Sequence, residues 1–157
     1  MRYYTINEVA MMTGFTTRTL RNYINAGMLE GEKIGGVWKF SADDFTHFLS
    51  DPNVISGIKS KNNAQALEFL ANNKKKENQI CTILDFYVDD VESAEISDFF
   101  CDQMNRLPDA SGDTDSNAHF SLQRIGQNTR VILTGPEDVI SKIMCSYYSG
   151  IEKSSIG

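Results

Sequence analysis

The sequence is poor in the residues that build metal sites and disulfide frameworks, and it contains no long apolar run. Its three cysteines, Cys81, Cys101 and Cys145, are widely spaced, form no C-x-x-C motif and are accompanied by only two histidines. Reduced thiols in the cytoplasm are the default for such a set, and no zinc site is expected. A secretory signal and an apolar stretch near the roughly 18 residues of a membrane span are also missing. These absences predict a cytoplasmic protein without a metal, a cofactor or a membrane contact.

Catalytic motifs are equally scarce. No serine or cysteine stands at motif spacing from His119, and there is no glycine-rich phosphate loop. The carboxylates of Asp85, Asp89, Asp90 and Glu92 could in principle meet for acid–base chemistry. Asp89 and Asp90 fit better as a strand-to-helix turn and a helix N-cap. We therefore predict that the protein is not an enzyme.

The acidic stretch 113–117 has acids or amides at alternating positions, as the first part of an EF-hand calcium loop does. Such a loop needs a glycine at its sixth position and a glutamate at its twelfth. Ala118 and Arg124 stand at these positions instead. This departure favours a mobile polar loop over a calcium site.

Basic charge is scarce as well, because the net charge is −6. Residues 1–61 contain seven Lys and Arg against six Asp and Glu, whereas residues 62–157 contain eight against fifteen. The first part therefore carries +1 and the second −7, which predicts two units of different character. A balance of +1 is weak for a unit that binds nucleic acid, since neutralised phosphates supply much of the affinity.

Two helix signals lie in the first 30 residues. Thr5-Ile6-Asn7-Glu8 has the form of a capping box, and Gly14 can supply the left-handed residue that ends this first helix. A second helix is capped by Thr16 or Thr17 and is closed by Gly27 in the same way. A helix, a short turn with glycine and a second helix together predict a helix-turn-helix.

A wing and a third helix follow. Gly35 and Gly36 form a turn pair between two short predicted strands. The stretch 41–44 caps a third helix, in which Phe45, Phe48 and Leu49 share one face.

The second helix has two contrasting faces. At about 100° per residue, Leu20, Tyr23 and Ile24 share a side that can pack. The opposite side carries two arginines and two asparagines and no acidic residue: Arg18, Arg21, Asn22 and Asn25. Arginine pairs with guanine or phosphate, and asparagine pairs with adenine. We interpret this side as a recognition face, with an ordinary solvated face as the alternative.

These motifs carry a resemblance to a known family. Thr19-Leu20-Arg21-Asn22-Tyr23 followed by Gly27-Met28-Leu29 is similar to the T-L-R-x-Y and G-x-L signature of MerR-type regulators. The wing, Gly35-x-x-Trp38-Lys39-Phe40, resembles more closely the G-x-x-W-x-F wing of the excisionase-like branch of that superfamily. Metal sensing is not implied, because the sensor cysteines are missing. A long dimerisation helix is hardly matched by residues 50–79.

The resemblance implies that helix 17–26 enters the major groove of DNA and that the wing, 33–40, lies along the neighbouring backbone. Tyr23 either presents its hydroxyl to a phosphate or packs in the core, and Trp38 is a hydrophobic plug rather than a residue that stacks on bases. The predicted DNA-binding residues are Thr16, Thr17, Arg18, Arg21, Asn22, Tyr23, Lys33, Gly36 and Lys39.

Residues 51–79 are predicted to be a linker that is partly helical. A modest helix is expected over 62–73, with Ala66, Leu67 and Leu70 on one side. The basic triplet 74–76 suits the C-terminal end of that helix better than a DNA-contacting arm.

The last part of the chain, 80–157, alternates strand and helix signals. We predict a strand over 80–88, a helix over 90–107, strands over 120–125 and 129–134, and a last helix with Pro136 at its first position. The order is β-α-β-β-α. The fold class is therefore α+β, with a winged helix-turn-helix of three helices and a β-hairpin over 1–50, followed by a small α+β domain.

Together these features predict a sequence-specific DNA-binding regulator that reads double-stranded DNA as a homodimer. Residues 80–157 would supply self-association and a site for a small-molecule or protein effector. An excisionase-like architectural or recombination directionality factor is the first alternative. A DNA-targeted enzyme with its catalytic domain in 80–157, and a protein–protein adaptor, are the others.

Overall fold

The computed structural model describes residues 2–107 and 118–156, with side chains as far as residue 150. The acidic stretch 113–117, predicted to be a loop without calcium, lies outside the described residues. The fold is α+β, as predicted. The N-terminal unit comprises β1 (Tyr3–Thr5), α1 (Ile6–Thr13), α2 (Thr17–Asn25), β2 (Glu32–Ile34), β3 (Val37–Ser41) and α3 (Ala42–Leu49).

Helix ends in the N-terminal unit follow the predicted caps. Thr5 and Glu8 form the capping box of α1, and Thr16 caps α2 by accepting a hydrogen bond from the backbone N–H of Thr19 at 3.1 Å. Gly14 and Gly27 take φ values of 82° and 78° just beyond the two helices. This left-handed conformation favours glycine, so both glycines fix where the helices stop.

Strand β1 was not expected from the sequence. It pairs antiparallel with β3 and turns the predicted hairpin into a three-stranded sheet of order β1-β3-β2. Tyr4 lies opposite Phe40, and both side chains are almost fully buried. A three-residue strand is too short to show an alternating pattern.

Helix α4 (Pro52–Ala71) is longer than predicted. The sequence indicated a helix only from residue 62, but the helix starts at Pro52, directly after the N-cap Asp51. Its first half buries Val54 and Ile58, so this segment packs tightly. The side chain of Lys75 donates hydrogen bonds to the carbonyls of Phe69 and Asn72 at 2.6 and 2.7 Å, which agrees with a role at the helix end.

The C-terminal unit has the predicted order of elements: β4 (Gln79–Tyr87), α5 (Asp90–Asn105), β5 (His119–Ile125), β6 (Asn128–Pro136) and α6 (Glu137–Ile156). All pairs in its sheet are antiparallel, and the strand order is β4-β6-β5. Pro136 was predicted at the first helical position, but it is the last residue of β6, opposite Gln79. Asp89 is the N-cap of α5, as predicted.

The two units share one continuous core. Helix α1 and helix α4 both lie against β5. Gly57 of α4 faces Phe15, and a Cβ atom at this glycine would come within 2.8 Å of that ring. On the other face of the C-terminal sheet, Phe100 stacks between Phe120 and Tyr147, with ring centroids 5.9 and 5.4 Å away.

The described residues form neither a membrane-spanning helix nor a cluster of metal ligands. None of their helices combines the length and apolarity that crossing a membrane requires. No group of three or more histidine, cysteine or acidic side chains among them is arranged to hold a metal ion.

Candidate nucleic-acid interface

The inner side of α2 fixes the orientation of the helix. Leu20 is fully buried, and Tyr23 and Ile24 are half-buried against the core. The ring of Tyr23 packs edge-on against Phe15 and Phe48, each with a centroid distance of 5.6 Å. Burying a leucine side chain contributes about 1.5–3 kcal/mol. Rotation of α2 about its axis would forfeit these contacts.

The outer side of α2 is available to a ligand. Arg18, Arg21, Asn22 and Asn25 are exposed, and within the described part of the chain none of their side chains forms a hydrogen bond or an ion pair. Three arginines elsewhere do form ion pairs, namely Arg2, Arg124 and Arg130. The arginines of α2 thus offer their donors to solvent on one face.

The two threonines at the start of α2 differ in their contacts. The hydroxyl of Thr16 accepts from the backbone of Thr19 and donates to the Thr19 hydroxyl at 3.0 Å, so it is engaged in the helix end. Thr17 is half-buried.

The wing is a tight hairpin. Gly35 and Gly36 take φ values of 62° and 79°, as a two-residue turn between β2 and β3 requires. Trp38 is half-buried and stacks on Phe40 with an interplanar angle of 9° and a centroid distance of 6.3 Å. This packing agrees with the predicted plug.

The two predicted lysines of the wing lie on opposite faces of the hairpin. Lys33 pairs across the strands with Trp38, and its ammonium lies 5.3 Å from the centre of that ring. Lys39 is the next residue after Trp38 and pairs with Glu32, so it points to the other face. Lys39 is half-buried and has Glu32 as an acidic neighbour on its face of the hairpin, whereas Lys33 is exposed to solvent.

Sequence reasoning missed a polar network that joins the N-terminal unit to α5. Arg2 pairs with Asp102, and the Tyr4 hydroxyl donates a hydrogen bond to Asp98. Asp98 and Asp102 both lie on α5. Their spacing of four residues places both on one helical face, and this spacing was the sequence signal for an acidic contact surface on α5.

Glu8 is at the centre of the same network. It accepts hydrogen bonds from the thiol of Cys101 at 3.2 Å and from the amide of Asn105 at 3.0 Å. Burial acts to raise the pKa of Glu8, but these bonds and those from Thr5 outweigh it, so that the pKa lies below its ordinary value. Burial and the neighbouring Glu8 carboxylate raise the pKa of the Cys101 thiol to about 12.

A groove lies between α1, α4 and the C-terminal sheet. Its volume is about 730 Å³, and Ala10 and Gly14 of the N-terminal unit contribute to its wall. Gln65 on α4 accepts from Ser121 at 2.6 Å and donates to Thr134 at 3.0 Å on this side. The charged residues of its lining are four lysines and two glutamates: Lys61, Lys74, Lys75, Lys76, Glu68 and Glu77.

Comparison with known proteins gives one result. The family model described as a helix-turn-helix domain matches residues 3–51. No curated protein and no solved structure matches the chain significantly. The N-terminal third is therefore similar to helix-turn-helix domains, and this similarity supports DNA binding by this part of the chain. Residues 80–157 lie outside the match.

Proposed function

We propose that the protein is a sequence-specific DNA-binding transcriptional regulator. In this proposal α2, extended to residue 26, lies in the major groove, and the wing, 33–40, lies on the adjacent backbone. One observation carries the proposal. Arg18, Arg21 and Asn22 are exposed together on a helix whose other side is fixed by buried Leu20.

The geometry of DNA supports this placement. The major groove of B-DNA is about 12 Å wide and admits one α-helix, and arginine and asparagine match its guanine and adenine edges. Lys33, Lys39 and the turn at Gly36 would position the wing, since contacts to phosphate set the register without reading sequence.

We further propose that the protein binds as a homodimer in the cytoplasm. Residues 1–61 carry a net charge of only +1, so one copy of the protein can make few phosphate contacts. Two copies on one site would double these contacts and raise the effective concentration of the second helix. The C-terminal unit would supply the self-association.

Selection of bound sequences from random DNA by the purified full chain tests the function. We expect an enriched motif with two-fold symmetry, and a gel shift on that motif that weakens in Arg21→Ala. Arg106→Ala is the matched control, because Arg106 is also exposed but lies at the end of α5 instead of on α2. No enrichment, or equal binding by Arg21→Ala, would remove the proposed function.

An architectural factor of the excisionase kind is the second candidate. The sequence of the wing supports this role, because Gly35, Trp38 and Phe40 match the wing motif of that branch. Footprinting separates the two functions. A single palindrome supports a regulator, whereas tandem direct repeats with bending of the DNA support the architectural role.

We also propose that the groove between α1 and α4 takes a small anionic effector. Its lysines outnumber its acidic residues, and α1 of the helix-turn-helix forms part of its wall. A panel of small carboxylates and phosphates should include compounds that raise the melting temperature. Lys61→Ala combined with Lys76→Ala should abolish the rise, and Lys142→Ala on α6 should preserve it. A panel without effect, or a rise that survives in the double variant, would contradict this site.

A further inference from the structure

Among the described residues, one edge of the sheet of the C-terminal unit is not covered by another strand. Strand β5, at one edge, lies against α1 and α4. Strand β4, at the other, is hydrogen-bonded only to β6 within the ranges 2–107 and 118–156. Strand β4 is nine residues long. At about 3.4 Å per residue it exposes an edge of roughly 30 Å of backbone groups.

This edge lacks the features that prevent pairing with other chains. Proteins protect such edges with lysine, proline or bulges. Strand β4 contains no lysine and no proline, and all nine of its residues pair in unbroken register with β6. Its one charged residue, Asp85, accepts hydrogen bonds from Arg130 at 2.7 and 3.0 Å, and these bonds lower the pKa of Asp85. The edge therefore presents no unpaired charge.

The open edge is also apolar. Ile83 and Tyr87 are 51% and 78% exposed, and both point to the face of the sheet on which α4 lies. Helix α4 adds exposed Leu67 and Leu70 to the same side of the unit. Isolated exposed apolar residues are ordinary, but a group of them along the unpaired edge of a strand indicates an interface.

We propose that β4 pairs antiparallel with β4 of a second copy, about a two-fold axis at Ile83, to form a continuous six-stranded sheet. A two-fold axis uses the same surface on both copies, so the strand must be complementary to itself. In this register Ile83 lies opposite Ile83 of the other copy, Asp85 opposite Cys81, and Tyr87 opposite Gln79. No like charges oppose each other, which would be unfavourable.

The inner face of β4 fits the same arrangement. Ile80, Leu84 and Phe86 are only half-buried on the side of the sheet where α6 packs, although they pack against the core. Pairing would cover their exposed parts with the equivalent residues of the second copy. Both faces of the strand would then gain apolar burial, which favours a second copy over a polar peptide.

This inference deepens the proposed function by naming where the dimer forms, but its test requires no DNA. Light scattering coupled to size exclusion should give twice the mass of one chain for the wild type. Ile83→Lys should place two ammonium groups against each other and raise the dissociation constant at least tenfold. Ile125→Lys is the matched control, because Ile125 is 47% exposed on β5 at the opposite end of the sheet order. It should remain a dimer.

Cross-linking keeps the test independent of folding defects. In a background with Cys81→Ser and Cys145→Ser, Ile83→Cys should form a disulfide-linked dimer on mild oxidation, because opposed residues of paired strands lie about 5 Å apart. Ile125→Cys should not. Circular dichroism of each variant identifies those that are folded.

Three outcomes would overturn the pairing: a wild type that is monomeric throughout, a dimer unchanged by Ile83→Lys, or cross-linking through residue 125 in place of 83. Failure of the proposed function is a different result. In that case the DNA selection would yield no enriched motif, whatever mass light scattering gives. A monomeric Ile83→Lys variant should still bind a half-site as well as the wild type does.

Discussion

Arg2 donates hydrogen bonds from both terminal nitrogens to the carboxylate of Asp102, at 3.2 and 2.8 Å, across 100 residues of sequence. Arg2 precedes β1, and Asp102 lies on α5. The pair therefore connects the helix-turn-helix directly to the C-terminal unit. The Arg2 side chain also reaches Asp98 at 3.3 Å.

Loss of Arg2 should weaken the contact between the two units. We expect Arg2→Ala to lower the free energy of unfolding by about 1 kcal/mol, a value limited by the partial exposure of both side chains. Urea titration of Arg2→Ala, Asp102→Ala and the double variant measures the coupling. Arg106→Ala, which removes an exposed arginine near the same end of α5, should change stability little. Additive effects of the two single changes would contradict the coupling.

Glu8 should make the protein sensitive to acid. Its pKa is below the ordinary value in the folded state, so its contribution to stability is complete above about pH 4.3, the usual glutamate pKa, and is lost as the pH falls through the folded pKa. Glu8→Gln keeps the shape of the capping box and does not titrate there. The stability difference between wild type and Glu8→Gln should therefore shrink as the pH falls below about 4.3. Urea titrations between pH 3 and 7 measure this, and Glu30→Gln on an exposed residue should show no such change.

Gly14 should tolerate alanine less well than Gly27. Both glycines have positive φ, so either substitution costs about 1–2 kcal/mol of conformational energy. A Cβ at Gly14 would also lie 3.0 Å from Cβ of Lys61, whereas nothing lies within 4 Å at Gly27. Thermal unfolding should show the larger loss for Gly14→Ala. Equal losses would mean that α4 does not press against this turn.

The arginines of α2 should govern affinity for DNA. Arg18→Ala and Arg21→Ala should each cost about 1–3 kcal/mol on a specific site, the range for good base contacts. Gel-shift titrations on the selected motif and on unrelated DNA distinguish two roles. A residue that reads a base loses affinity for the motif alone, whereas one that binds phosphate weakens both and lowers the salt dependence. Unchanged binding by both variants would exclude α2 as the recognition helix.

Local signals made the helix ends of the N-terminal unit predictable. Thr5, Thr16 and Ser41 each have a hydroxyl that caps the backbone three residues later, and this geometry depends on sequence spacing alone. The exposed face of α2 followed from its periodicity in the same way. The order of elements after residue 79 was also predicted, because its strands are long and apolar.

Contacts between distant segments were not predictable in this way. The start of α4 at Pro52 depends on Val54 and Ile58, which are buried by packing that no local pattern specifies. Asp98 and Asp102 resemble solvated acids until Arg2 is placed beside them. The DNA contacts of α2 stay a prediction, because they depend on a second molecule and not on the fold of this chain.

The packing of Phe15 against Gly57 has a practical consequence for moving the helix-turn-helix into another protein. Excision at the boundary suggested by the family match, residue 51, would strip α4 from this aromatic ring and leave Val54 and Ile58 behind. A chimera that takes over the helix-turn-helix should carry the chain through Ala71. Even then it would lack the carboxylates of α5 that pair with Arg2, because these stay in the C-terminal unit.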